Sequence, residues 1–449
     1  MRGQGTAARD DGQRASEDGA AARDGGRGAR GGKADAPEGG KRGAHGAGRL
    51  ASSVREVRGG GFFGAVGKAA PLLVFYGLAV LIMLASVAFG LNSGFDYKMY
   101  NDEGISFVSG RVTQVMSEDV EIDRFGLHRG SQKLMVRLEG GPRRGDEVDV
   151  TNSLSVEQSI YVKPGDRVVV LMDQPDESYY YASLFGRDRS LPIYGVLGAF
   201  LLILMLVGRR KGVRSAFGMA FTLVTVVFLL IPLILLGWEP APLTAALAAL
   251  IMAVSLTALS GFTRKTLVMT AGAVTGVVIS ALLFAAASAA LHVSGFNVED
   301  VSALVVLAQN TDIKIEGLLF AGVLLASLGA IMDVAVSVAS GVGELREVNE
   351  GITANELFRS GMKISGDIIG ATANTLIMAF LGTFFITILM YRVYNVEYTQ
   401  LINMNTMAIE VAQAVSGACA LIFTAPVTAF VASRVYGARN NTTHGRYWG

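Results

Sequence analysis

Long apolar runs separated by short polar loops dominate this chain from Pro71 onward. Each run holds roughly 20 residues, and a helix of that length crosses a hydrocarbon layer of about 30 Å. The pattern therefore predicts an α-helical polytopic membrane protein. We predict about eight spans, at residues 71–91, 191–207, 215–236, 241–259, 266–290, 317–340, 366–391 and 411–435.

Residues 92–190, between the first two predicted spans, follow a different pattern of short apolar–polar alternations. Turn signals such as Gly140-Gly141-Pro142 separate these stretches, which favours a small antiparallel sheet or barrel. Five strands would suit an OB-like barrel, although fold analogy says nothing about a ligand. The predicted strands lie at residues 107–116, 133–138, 147–150, 167–172 and 179–183.

Composition distinguishes the N-terminal region from the rest. Residues 1–64 hold 18 glycines and 12 Lys or Arg with few large apolar side chains, so we predict a disordered, solvated tail and no nucleic-acid partner. Cys419 is the single cysteine, which excludes an intrachain disulfide and a structural cysteine cluster for a metal.

The basic residues of the short loops predict the orientation. Nine lie in alternate loops, against two (Lys314 and Arg392) in the opposite ones, so both termini are expected to be cytoplasmic. This orientation makes residues 92–190 an extracytoplasmic domain, residues 191–435 a seven-span membrane domain and residues 436–449 a cytoplasmic tail. The nine are Arg209, Arg210, Lys211, Arg214, Arg264, Lys265, Arg346, Arg359 and Lys363.

Asp333 is the most informative residue, because it lies in the middle of the apolar run 317–340. A carboxylate there costs about 3 kcal/mol on insertion scales. Small residues on its helical face let a neighbouring helix approach, so we expect Asp333 to point into the bundle. The residues sharing this face are Gly322, Ala326, Gly329, Ser337 and Ser340.

The seventh predicted span offers a matching face of Asp367, Gly370 and Asn374. Asp333 and Asn374 both lie at a depth of ~12 Å, so we expect them to face each other. The amide of Asn374 could then donate to the carboxylate. Two interpretations stay open: Asp333 binds a proton or cation, or it stays protonated and only fixes helix packing.

Two further polar residues are weaker candidates. Asp367 lies near a helix N-terminus, where a carboxylate commonly serves as a cap or a dipole partner. Thr424 shares a face with other polar residues on the last span, and Pro426 leaves the carbonyl of Ile422 without its helical partner. Such a broken helix can supply ion ligands, or it can be a simple kink.

Motifs for enzymatic chemistry are missing from the sequence. It contains no phosphate-binding Gly-rich loop, no zinc-protease motif and no nucleophile elbow, so we expect no catalytic residue, cofactor or metal and no enzyme activity. The segment Thr353-x-x-Glu356 is a capping box that opens an amphipathic helix ahead of the seventh span.

The segment from residue 317 to 382 resembles the YibE/F family of bacterial membrane proteins. The resemblance is carried by Gly329–Ala335, Asn355–Met362, Asp367–Gly370 and Asn374–Leu376, and it extends over residues 71–435. It implies a multi-pass protein of the bacterial plasma membrane without specifying an activity.

Two functions from different classes are compatible with these features. The first is permease-like secondary transport of a solute or ion, in which Asp333 binds the ion and Asn374, Asp367 and Thr424 complete the site. The second is a non-transporting assembly or sensory protein that acts through residues 92–190. In either case the lipid bilayer is a partner, and a homo-oligomer or a membrane partner fits both.

Overall fold

The computed structural model describes residues 61–93, 105–176, 179–297 and 301–437. The predicted N-terminal tail lies outside the described residues, except for Gly61–Gly64, which begin the first helix. The predicted C-terminal tail also lies outside them, except for Tyr436 and Gly437. The helices are α1 (Gly61–Asn92), α2 (Ser190–Leu235), α3 (Pro240–Ser260), α4 (Arg264–Leu291), α5 (Val301–Asn310), α6 (Leu318–Val348), α7 (Ala354–Val393), α8 (Tyr398–Ile402) and α9 (Asn405–Gly437).

Seven of the described helices are long and apolar enough to cross a membrane, rather than the eight that we predicted. The difference arises in α2, whose 46 residues contain both the second and the third predicted span. Arg209 interrupts this helix with φ 48° and ψ −128°. A Cβ on Gly212 would lie 3.2 Å from Cα of Met205, so the chain folds sharply back at Arg209.

Contacts between α1 and α2 show how α2 accounts for two predicted spans. The rings of Tyr76 and Phe217 lie 5.0 Å apart, and a Cβ on Gly90 would lie 3.1 Å from Cβ of Phe228. The helix α1 and the second half of α2 therefore run parallel and end at the same end of the bundle. The reversal at Arg209 divides α2 into two arms, residues 190–208 and 210–235, and each arm corresponds to one predicted span.

The core of the bundle forms where α4, α6 and α9 cross. Gly276 of α4 lies against Thr424 of α9 and Ile331 of α6, where a Cβ would be 2.7 Å from Cγ2 of Ile331. Nearby, the hydroxyls of Ser280 and Ser327 are 3.3 Å apart and both residues are buried. Gly276 and Ser280, one turn apart, thus lie on a close-packing face of α4.

The helix α7 continues without a break from the amphipathic segment into the seventh predicted span. The predicted capping box is present, with Thr353 accepting from the backbone N–H of Glu356 and the Glu356 carboxylate accepting from that of Thr353. No proline follows until the helix ends at Val393, so its 40 residues form one rod. The amphipathic helix that we predicted ahead of the seventh span is therefore the first part of α7.

A closed five-stranded barrel lies between α1 and α2. All five predicted strand positions are confirmed, and the observed strands extend beyond most of the predicted ranges. The strand order around the barrel is β1-β2-β3-β5-β4, with β3 and β5 paired in parallel. The strands are β1 (Ile105–Ile122), β2 (His128–Leu138), β3 (Glu147–Leu154), β4 (Arg167–Asp176) and β5 (Tyr179–Arg187).

A buried polar pair inside the barrel was not predicted. Asn152 donates through Nδ2 to Oε1 of Gln132 at 3.0 Å and to the carbonyl of Ile160 at 2.8 Å. The same Oε1 atom of Gln132 accepts from the backbone N–H of Val162. These bonds satisfy the buried amides and hold the loop between β3 and β4 against the core.

Candidate functional site

Asp333 lies on the one open stripe of α6. Neighbouring helices bury most of this helix, including Val334 and Ala335 beside the carboxylate. The exposed positions within its apolar part share a single face, and a Cβ on Gly322 or Gly329 would meet nothing within 4 Å. The expectation that Asp333 points into the bundle was wrong. The exposed residues of this stripe are Gly322, Ala326, Gly329, Asp333 and Ser337.

The helix α7 packs beside α6 and runs in the opposite direction. A Cβ on Gly341 of α6 would lie 3.2 Å from Cδ1 of Ile364 of α7. Because the two helices are antiparallel, the residue eight positions before Gly341 lies level with the residue eight positions after Ile364. Asp333 is therefore level with about Thr372. Asp333 and Asn374 therefore lie at nearly the same level along the two helices, as we expected.

The polar positions of α7 near this level also face outward. Asp367, Gly370 and Asn374 are all exposed, and a Cβ on Gly370 would meet nothing within 4 Å. We call the exposed stripe of α6 together with these three residues of α7 the open polar face. Two carboxyls, one amide and several small residues thus lie on the surfaces of adjacent helices.

The predicted contact between Asp333 and Asn374 is not formed. Within the part of the chain that the structure describes, the Asp333 carboxylate has no hydrogen bond or ion pair to a protein group. Asn374 is likewise exposed, so the two side chains share a level without satisfying each other. At membrane depth, a carboxylate without such partners requires a proton, an ion, water or another polar group to offset its desolvation.

Thr424 lies elsewhere in the molecule. It is buried at the crossing of α9 with α4, and its hydroxyl donates to the carbonyl of Ala420 on its own helix. The neighbouring Ile331 lies on the face of α6 opposite Asp333. Asp333, Asp367 and Asn374 are thus exposed on the adjacent helices α6 and α7, whereas Thr424 is buried away from them. Pro426 lies within the continuous helix α9.

Two cavities lie away from the open polar face and were not predicted. One, of about 450 Å³, is lined by Phe296, Ile315 and a Lys314–Glu239 ion pair of 2.7 Å. The other, of about 380 Å³, lies where α4 begins and α6 ends. Charged residues flanking the predicted spans are the sequence signal for both cavities, but by themselves such residues indicate only orientation.

Comparisons with known proteins give one finding. The model of the family described as YibE/F-like protein matches residues 196–438, which are 243 of the 449 residues. The match begins within α2, after the barrel, and includes Asp333, Asp367 and Asn374. No curated protein and no solved structure matches the chain.

Proposed function

Because this chain belongs to the YibE/F-like family, whose model covers more than half of it, we propose that it is a permease-like secondary transporter. In this proposal Asp333 binds the coupling proton or cation, and Asp367 and Asn374 contribute to the same polar surface. The family and the apolar helices support a multi-pass membrane protein, and the proposal adds the transport.

The exposure of Asp333 is the observation that carries this proposal. A carboxylate that only fixed the packing of α6 would be buried against a neighbouring helix, as Ser327 is against Ser280. Asp333 instead occupies an open surface where the helix presents small residues on either side. An exposed carboxyl in a low-dielectric region can exchange a proton or cation, which is the step that coupling requires.

A carbodiimide test of the intact chain can be made before the solute is known. Dicyclohexylcarbodiimide modifies protonated carboxyls in apolar surroundings, and mass spectrometry locates the adduct. We expect modification of Asp333 to decline as the pH rises, and to decline further with Na⁺ if Na⁺ is the coupling ion. Asp333→Asn should abolish both this adduct and any proton-linked flux into proteoliposomes.

Ser337→Ala is the matched control, because it alters the same stripe one turn away without removing a carboxyl. It should leave labelling and flux at the level of the unmodified chain. An Asp333 that stays unreactive at every pH, together with unchanged flux in Asp333→Asn, would contradict the transport proposal.

A second function is favoured by one feature of the barrel. Phe107 and Phe185 form an edge-to-face pair with centroids 4.9 Å apart, and both rings are more than half exposed. Exposed aromatic pairs suit a contact with another protein, as an assembly or sensory role would need. Loss of activity in Phe107→Ser/Phe185→Ser with normal labelling of Asp333 would favour this alternative.

We also propose that the barrel is extracytoplasmic and OB-like, in a bacterial plasma membrane with both termini cytoplasmic. The basic residues at the fold-back near Arg209 and at the start of α4 support this orientation. The strand order β1-β2-β3-β5-β4 of a closed barrel supports the OB-like fold. Neither property identifies a ligand.

A further inference from the structure

The cavity between the start of α4 and the end of α6 has charged residues of opposite sign on its two walls. Arg264 and Lys265 lie in the first turn of α4, whereas Glu344 and Glu347 lie in the last turns of α6, where Arg346 also lines the cavity. Its volume is about 380 Å³, enough for a group of the size of a lipid headgroup.

These four charges do not neutralise one another directly. In the described part of the chain, none of the four side chains forms an ion pair within 4 Å. Each pair also has the sign that its own helix end disfavours, since a helix N-terminus carries a partial positive charge and a C-terminus a partial negative one. The two walls therefore attract a ligand that carries an anionic and a cationic group.

Tyr436 of α9 also lines this cavity and contributes a polar group. Its ring packs against Gly343, where a Cβ would be 3.7 Å away, and its hydroxyl oxygen is buried with no hydrogen-bond partner among the described residues. A buried hydroxyl left unpaired costs about 1–3 kcal/mol, so an acceptor or donor on a ligand would stabilise this arrangement.

Hydrogen bonds hold the chain on both sides of the cavity. Thr263 caps α4 by accepting from the backbone N–H of Thr266, which leaves the first N–H groups of α4 available to an anion. On the other side, Arg346 donates to the carbonyl of Ile352 at 2.7 Å and holds the turn after α6. The start of α4 is therefore capped, and the end of α6 is tied to the following turn through Arg346.

We propose that this cavity binds a zwitterion that carries a phosphate and a primary ammonium group. The phosphate contacts Arg264, Lys265 and the start of α4, and the ammonium contacts Glu344 and Glu347. The Tyr436 hydroxyl donates to a phosphate oxygen. This chemistry occurs in the headgroup of phosphatidylethanolamine and in free phosphoethanolamine.

Native mass spectrometry of the full-length protein in detergent tests the proposal. The delipidated chain is titrated with phosphatidylethanolamine or with phosphatidylglycerol, which carries the phosphate without the ammonium. We expect tighter binding of phosphatidylethanolamine, and at least tenfold weaker binding in Arg264→Gln/Lys265→Gln. Glu344→Gln/Glu347→Gln should lose the preference for phosphatidylethanolamine over phosphatidylglycerol.

Arg359→Gln/Lys363→Gln is the matched control, because it removes two exposed cations of α7 that do not line the cavity. Its lipid binding should equal that of the unmodified chain. Tyr436→Phe provides a milder test in case a double variant fails to fold, and it should weaken binding several-fold with unchanged helicity.

Free phosphoethanolamine distinguishes the source of the ligand. If it displaces the bound lipid at millimolar concentration, the site accepts a soluble zwitterion. If it does not, the site selects the lipid. Equal binding of the two lipids by the unmodified chain would overturn the proposal, as would cavity variants that bind like the control. Neither result depends on whether Asp333 couples transport.

Discussion

Gly276 illustrates how a single hydrogen atom in place of a side chain sets the distance between helices. At this position α4 contacts Thr424 and Ile331 at once, and both are fully buried. An added methyl group would have to displace packed atoms on two other helices, because side chains in such a core have little room to move. The α4–α6–α9 crossing therefore requires glycine here.

We expect Gly276→Ala to destabilise the chain by about 1–3 kcal/mol through overpacking. Gly329→Ala is the matched control, since its Cβ would meet nothing within 4 Å and alanine also favours the helix. Unfolding of both variants in a detergent titration checks the difference. A Gly276→Ala protein as stable as Gly329→Ala would show that the crossing relaxes.

Asp333 shows which part of the site the sequence could predict. Helical spacing correctly placed it on one stripe with small residues, and counting from the membrane boundary gave the right level relative to Asn374. Spacing does not reveal which of several glycine-containing stripes a neighbour occupies. In the structure the close approaches occur at Gly276 and at Gly361 of α7, and the stripe of Asp333 stays open.

At the scale of elements, the turn between β1 and β2 depends on one carboxylate. Oδ1 of Asp123 accepts from the backbone N–H groups of Phe125 and Leu127 at 2.8 and 2.9 Å, and Oδ2 accepts from Arg129. The backbone hydrogen bond from Leu127 is the main cause that lowers the pKa of Asp123. The charged form of this residue therefore stabilises the turn.

Asp123→Ala should make the amide protons of Phe125 and Leu127 exchange faster, whereas Asp149→Ala, at an exposed strand position, should not. Because the pKa of Asp123 is lowered from 3.8, its stabilising effect is present above that pH and is lost as the pH falls through the lowered value. Hydrogen–deuterium exchange, corrected for intrinsic rates, measures both effects. Unchanged exchange in Asp123→Ala would contradict this role.

Most helices and strands could be predicted from the apolar pattern, but the pattern did not show where adjacent helical segments are continuous and where they are interrupted. Long apolar runs and alternating strands produce strong periodic signals, so every predicted strand and span coincides with observed structure. Whether two adjacent helical segments form one rod depends on a few backbone angles. The amphipathic residues before Gly366 join α7 without a break, whereas Arg209 introduces a reversal in a stretch that is helical on both sides.

At the scale of the whole molecule, the proposed orientation can be tested with the single cysteine removed. In a Cys419→Ser background, Ser155→Cys lies in the barrel and Gly351→Cys in the turn between α6 and α7, and both positions are exposed. An impermeant maleimide should label Ser155→Cys in intact cells and Gly351→Cys only after permeabilisation. Labelling of both from the same side would contradict the orientation.

The reversal at Arg209 also constrains how the chain enters a bilayer during synthesis. Arg209, Arg210 and Lys211 lie at or just after the bend, and charged residues of this kind resist translocation. Residues 190–208 are exposed almost throughout, so they gain little from contacts within the subunit. The first arm of α2 should therefore be released to lipid, with the cationic bend left on the side from which synthesis proceeds.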